Sequence, residues 1–114
     1  MSEDDFRAIA LAITGAVERS HMAHPDFRVG DKGRVFATLN SDDDGDYGVV
    51  MLTPEEQAEF VAASPGVFEP LKGKWGERGA TRVNLKRAGK RVVARAMEAA
   101  WKGKIAATSA GRRR

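Results

Sequence analysis

The chain contains no cysteine. Disulfides, thiolate zinc sites and cysteine nucleophiles are therefore excluded. Long apolar runs are missing as well: no stretch is long enough to span a bilayer, and Met1-Ser2-Glu3-Asp4-Asp5 is acidic where a signal peptide would be basic. The expectation is a soluble, cytoplasmic protein with no membrane partner. Catalytic signatures are lacking too, with no Ser-His-Asp ordering, nucleophile elbow or nucleotide fingerprint. Ser20, Ser41, Ser64 and Ser109 fall at caps, turns or the C-terminal segment. Carboxylates are abundant enough for two to meet in space, but no spacing supports paired-carboxylate chemistry. A non-enzyme without a cofactor is the expectation, and no internal repeat stands out.

Acid is nearly absent from the C-terminal part of the chain. Residues 71–114 carry 14 basic and 2 acidic side chains, net +12, whereas residues 1–70 carry 5 basic and 14 acidic ones, net −9. The modest total of +3 hides this polarity. Such asymmetry points to a polyanion partner. The competing reading is a solvated basic surface with a charged tail.

At 114 residues the chain makes one domain, which buries roughly two-thirds of its unfolded surface. Ser2, with Asp5 three residues later, starts a first helix. Phe6, Ile9, Ala10, Ile13 and Val17 form its apolar stripe, and it fades near Ser20 to Met22, ahead of Pro25. Phe27-Arg28-Val29 is a short strand and Gly30-Asp31-Lys32-Gly33 a turn. Arg34 to Leu39 alternates as a half-buried strand, with Val35, Ala37 and Leu39 on one face and Arg34, Phe36 and Thr38 on the other. A polar hairpin tip over residues 40–48 leads into the returning strand Tyr47 to Leu52. Thr53, Pro54 and Glu56 then open a second helix, anchored by Phe60 and Val61. Val67 to Leu71 and Ala80 to Leu85 are the remaining strands. A last helix runs from about Arg87 to Trp101, with Gly103 as its stop. The order α-β-β-β-α-β-β-α implies an α+β domain over residues 1–103, with helices packed on one antiparallel sheet. Residues 104–114 follow as a flexible basic tail.

Several groups are candidates for binding. On the last helix Arg87, Arg91 and Arg95 stand at steps of four, a ladder suited to phosphate oxygens, extended by Lys102 and interrupted by Glu98, which pairs with Arg95. An ordinary solvated helix face is the alternative. The loop Gly73-Lys74-Trp75-Gly76-Glu77-Arg78-Gly79 offers glycines for close backbone approach, charges at Lys74 and Arg78, and an indole. It is not a P-loop, because the GxxxxGK[ST] spacing is absent. Trp75 is either a core plug, the preferred reading, or an exposed stacking surface. Arg82 either extends the basic surface from Arg78 or is consumed by an internal salt bridge. His21 and His24 form an H-x-x-H pair without an evident third ligand, so no metal is assigned. Asp26, Arg28 and Lys32 make a polar rim, with Arg28 a further candidate for anion contact. Asn40-x-Asp42-x-Asp44-Gly45 imitates the start of a calcium loop, but its twelfth position is Met51, and an acidic hairpin tip fits better.

Three segments in fixed order, His24-Pro25-Asp26-Phe27-Arg28-Val29, Leu52-Thr53-Pro54-Glu55-Glu56-Gln57 and Trp75-Gly76-Glu77-Arg78-Gly79-Ala80-Thr81-Arg82-Val83, resemble the MmcQ/YjbR family. The likeness runs from about Phe6 to Trp101, and the Trp-Gly step is a hallmark of that family. The resemblance implies an α+β fold and DNA as the ligand. Charge and placement then select Lys74, Arg78, Arg82, Arg87, Arg91, Arg95, Arg112, Arg113 and Arg114 as phosphate contacts. A protein-interaction or regulatory module, or a small anionic-ligand binder with the Trp75 loop as a lid, are the rival readings.

Overall fold

Two local hydrogen-bond signatures set the first and middle helices of the computed structural model, which describes residues 1–21, 24–30 and 33–112, the side chains of residues 21 and 107–112 excepted. In α1 (Glu3–Leu11) the Asp5 amide donates to Ser2 Oγ at 3.1 Å, and the Ser2 amide donates to the Asp5 carboxylate at 3.0 Å. That backbone donor holds the Asp5 carboxyl below its ordinary range against an opposing loss of hydration, helped further by the Ser2 hydroxyl and Lys90. In α2 (Pro54–Ala63) Thr53 and Glu56 make the same reciprocal pair at 3.1 and 2.9 Å. Such caps contribute about 1 kcal/mol each.

Six strands form one antiparallel sheet: β1 (Ala16–His21), β2 (His24–Val29), β3 (Val35–Asp42), β4 (Gly45–Met51), β5 (Phe68–Pro70) and β6 (Ala80–Val83), in spatial order β1-β2-β3-β4-β6-β5. A one-turn helix, α3 (Lys74–Glu77), lies between β5 and β6, and α4 (Lys90–Arg112) closes the chain. The eight expected elements occur in the expected order, within an α+β domain. Two more, β1 and α3, are inserted among them.

The first helix is shorter than its apolar spacing implies. It ends at Leu11, and Gly15, at φ +89°, turns the chain into β1. A left-handed backbone cannot continue a helix, so Val17 joins a strand opposite Arg28 and Ile13 sits in the turn. The face assignment of β3 changes at one residue. The register pairs Phe27 with Ala37 but Arg28 with Val35, so Phe36 bulges and falls into the core, fully buried. The last helix begins at Lys90 because Asn84 builds a separate turn first: its carbonyl accepts from the Arg87 and Ala88 amides and its side chain from the Lys86 amide. Arg87 therefore precedes the helix. Gly103 does not stop it either; the backbone stays helical to Arg112. One interior glycine costs only about 1 kcal/mol against alanine, and the neighbours are strong helix formers. Arg113 and Arg114 lie outside the described residues, as do the side chain of Arg112 and all of Lys32.

The core lies between one sheet face and the helices. Phe6 of α1 meets Phe27 of β2 with ring centroids 6.2 Å apart, and Leu39, Val50, Val83, Val93, Met97 and Ala100 complete the cluster. Helix α2 packs Phe60 edge-on against Phe68 of β5 at 5.3 Å. The alternate strand positions, including Asp26, Thr38, Asn40, Val49 and Arg82, belong to the other face. Asp26 is registered against Thr38, Thr38 against Val49, and Val49 against Arg82.

Candidate functional site: a groove beneath Trp75

On this second face the three separated sequence segments converge. Residues of β2 (His24, Asp26, Arg28) form one side of a groove of about 680 Å³; Met51, directly before the Leu52 segment, and Trp75 stand on the other side, with Thr38 and Asn40 between. A smaller depression of about 260 Å³ continues under the indole toward Tyr47, Val49 and Leu71.

The turn carrying Trp75 is built around missing side chains. Gly76 is buried, and a Cβ there would stand 1.6 Å from the Leu71 carbonyl oxygen. Gly79 has φ +113°, and a Cβ would stand 1.9 Å from the Leu52 oxygen. Only glycine fits either position. From α2, the buried Gln57 Nε2 donates to the Gly76 oxygen at 3.0 Å, the Ala80 oxygen at 3.1 Å and Thr81 Oγ1 at 3.2 Å. Thr81 Oγ1 donates in turn to the Gly79 oxygen at 2.8 Å, which also accepts from the Leu52 amide at 3.2 Å. The Leu52–Gln57 and Trp75–Val83 segments are thus one hydrogen-bonded unit.

This packing overturns the reading of Trp75 as a core plug. Backbone fills the inside of the turn too tightly to admit an indole, and Trp75 is left 66% exposed. The plug is Gly76. A large aromatic is thus held in water by a buttressed turn, the opposite of the placement that hydrophobic burial alone would favour.

Cations flank Trp75 in sequence and also line the groove. Lys74, on α3, and Arg78, which caps its C-terminus, are exposed one helical turn apart, with the Arg78 amide donating to the Lys74 oxygen at 3.0 Å. Exposed Arg34 and half-buried Lys104 line the groove. Among the described residues Lys74, Arg78 and Arg34 have no ion-pair partner. Arg28 differs: it grips Asp26 bidentately at 2.9 and 3.1 Å, and Asp26 is only 4% exposed. The groove therefore has a charge-compensated wall and a cationic rim.

The other sequence candidates are distributed elsewhere. Arg82 is held by Asp42 at 2.8 Å and Glu69 at 3.6 Å, and its guanidinium stacks 3.9 Å over the Tyr47 ring. The internal-salt-bridge alternative applies to this residue. Its hydrogen bond depresses the Asp42 carboxyl pKa, and the same bond raises that of Arg82. Arg87 lines a separate cleft of about 460 Å³ together with Lys86, Asp44 and Asp46, a mixed-sign site. Arg91 and Arg95 are exposed on α4 and do not line the groove, although Lys104, further along the same helix, does. Glu98 pairs with Lys102 at 3.0 Å, one turn later, and not with Arg95. The hairpin tip is acidic as expected, with the Asp44 amide donating to Asp42 at 2.9 Å. Among the described residues no group of three His, Asp or Glu side chains is placed to hold a metal. No helix among them is long and apolar enough to cross a membrane.

Sequence reasoning gives Gln57, Thr38 and Arg34 no binding role, and reads Asn40 only as the start of the acidic hairpin tip. Thr38 and Asn40 carry a signal, since they are two apart on a strand whose alternate positions are apolar. Gln57 sits inside a capped helix among exposed carboxylates and carries none.

The family model described as YjbR matches residues 11–102. The crystal structure of protein DR2400 from Deinococcus radiodurans, described with a DUF419 domain, superposes with a TM-score of 0.68 at 18% identity, over 86% of this chain and 74% of that one. At that identity the likeness concerns the fold alone. Among curated proteins none matches the chain.

Proposed function

We propose that this chain, which belongs to the YjbR family, binds DNA through the Trp75 turn and the sheet face beneath it. The observation that carries this reading is the 66% exposure of Trp75 on a turn locked by Gln57, between Lys74 and Arg78. An aromatic plane flanked by cations suits a nucleic-acid strand, whose bases stack and whose phosphates attract positive charge. Lys74, Arg78 and Arg34 are the proposed phosphate contacts. Arg82 is left out because Asp42 and Glu69 already hold it. Arg87, Arg91 and Arg95, and the arginines at 112–114, enter only as contacts for a longer strand that leaves the groove. The proposed role is binding, with no catalytic step.

The test is salt dependence. Labelled oligonucleotides are titrated with wild type and with Lys74→Gln/Arg78→Gln at several salt concentrations. Removing two phosphate contacts lowers the slope of log K against log salt by about 1.4 to 1.8. An unchanged slope in a folded double variant takes the Trp75 turn out of the interface.

A further inference from the structure

One wall of the groove is a charge-compensated Asp26–Arg28 pair, while Arg34 and Lys104 add positive charge to its lining, and this division sorts the parts of a nucleotide. Resting on the DNA-binding reading above, we propose that the groove seats an unpaired nucleobase of a single strand, stacked on Trp75 with its polar edge against Asn40 and Thr38.

Charge directs the base inward. Buried Asp26 is neutralised by Arg28, which grips it with two hydrogen bonds, so this wall offers a phosphate no net attraction, whereas Arg34 and Lys104 in the lining and the exposed Lys74 beside Trp75 supply positive charge for a backbone. A phosphate belongs at the rim and an uncharged heterocycle inside. Shape agrees: Pro25, Val35 and Met51 supply apolar walls, and the volume of about 680 Å³ is within the small-ligand range. Polar specificity comes from the floor. Asn40 Nδ2 donates to Thr38 Oγ1 at 2.7 Å, which orients the amide. The second Nδ2 hydrogen and Oδ1 remain, an adjacent donor and acceptor of the kind a base edge pairs with. In a duplex that edge is paired and both π-faces are stacked, so only an unpaired base can use both Trp75 and Asn40.

The test compares a labelled oligothymidylate with an abasic strand of equal length and charge, using fluorescence anisotropy. Wild type is expected to bind the base-bearing strand about 5- to 150-fold more tightly, the range of one to a few kcal/mol for a stacked base. Trp75→Ala abolishes that preference while keeping the salt slope, Trp75→Phe retains most of it, and Asn40→Ala weakens only the base-bearing strand. Equal affinity of wild type for both strands, with salt-sensitive binding intact, overturns the base pocket and leaves DNA binding standing. Tighter binding of duplex than of strand also overturns it. Absence of binding to either strand sinks this proposal together with the reading it rests on.

Discussion

Replacing Trp75 by alanine separates an exposed platform from a core plug by stability alone. A tryptophan side chain presents about 250 Å² at most. With 66% of the residue exposed, the covered remainder is a third of that, roughly 85 Å². At about 25 cal/mol per Å² the covered area is worth about 2 kcal/mol. The extended-chain reference overstates such burial by roughly 10–40%, so the expected loss is about 1–2 kcal/mol. A core aromatic truncation costs about 3–5 kcal/mol instead. Urea unfolding of wild type and Trp75→Ala, followed by circular dichroism, measures the difference. A loss above about 3 kcal/mol would refute the platform, because an indole mostly in water has no such burial to lose.

Other consequences follow from the same geometry. Gly79→Ala combines left-handed strain with a Cβ against the Leu52 oxygen and is expected to lose about 2–4 kcal/mol in the same assay. Gln57→Glu sets an acceptor-only carboxylate against the Gly76 and Ala80 carbonyls, so its folded-state pKa lies above its unfolded one; this variant gains stability relative to wild type as pH falls, which acid-range melting curves check. Asp42 behaves oppositely. Its carboxyl, depressed by the Arg82 hydrogen bond, supports folding above its ordinary value of 3.8 and loses that support as pH falls through the depressed value; carboxyl NMR titration should show the depression in wild type and its disappearance in Arg82→Ala. The Trp101 indole N–H is buried without a partner among the described residues, so Trp101→Phe removes an unsatisfied donor and stays within about 1 kcal/mol of wild-type stability.

What could be read from the sequence is what depends on neighbours in the chain. Ser2 with Asp5 and Thr53 with Glu56 close hydrogen bonds within four residues, so their helices start where the pattern places them. The β3–β4 hairpin, apart from the bulge at Phe36, and the polar face of α4 are equally local. Failures arose where tertiary space decided. Val17 fits a helical stripe and a strand alike, and the left-handed Gly15 with an available edge on β2 selected the strand. Trp75 reads as a plug by size, yet the Leu71 and Leu52 carbonyls occupy the interior of its turn. Arg82 reads as a free cation until β6 is laid beside β4 and its chain reaches Asp42 from forty residues away. Likewise the groove itself arises from register, which places Asp26, Thr38 and Arg28 on one face from two different strands.

The most direct measurement follows Trp75 itself. In a Trp101→Phe background Trp75 is the sole tryptophan, and its emission is recorded while single-stranded DNA is added at several salt concentrations. The account predicts saturable quenching whose midpoint shifts to higher DNA concentration as salt rises, as expected of a stacked base beside phosphate contacts. Unchanged Trp75 emission under conditions where anisotropy shows the DNA bound would contradict it, placing the interface elsewhere on the molecule.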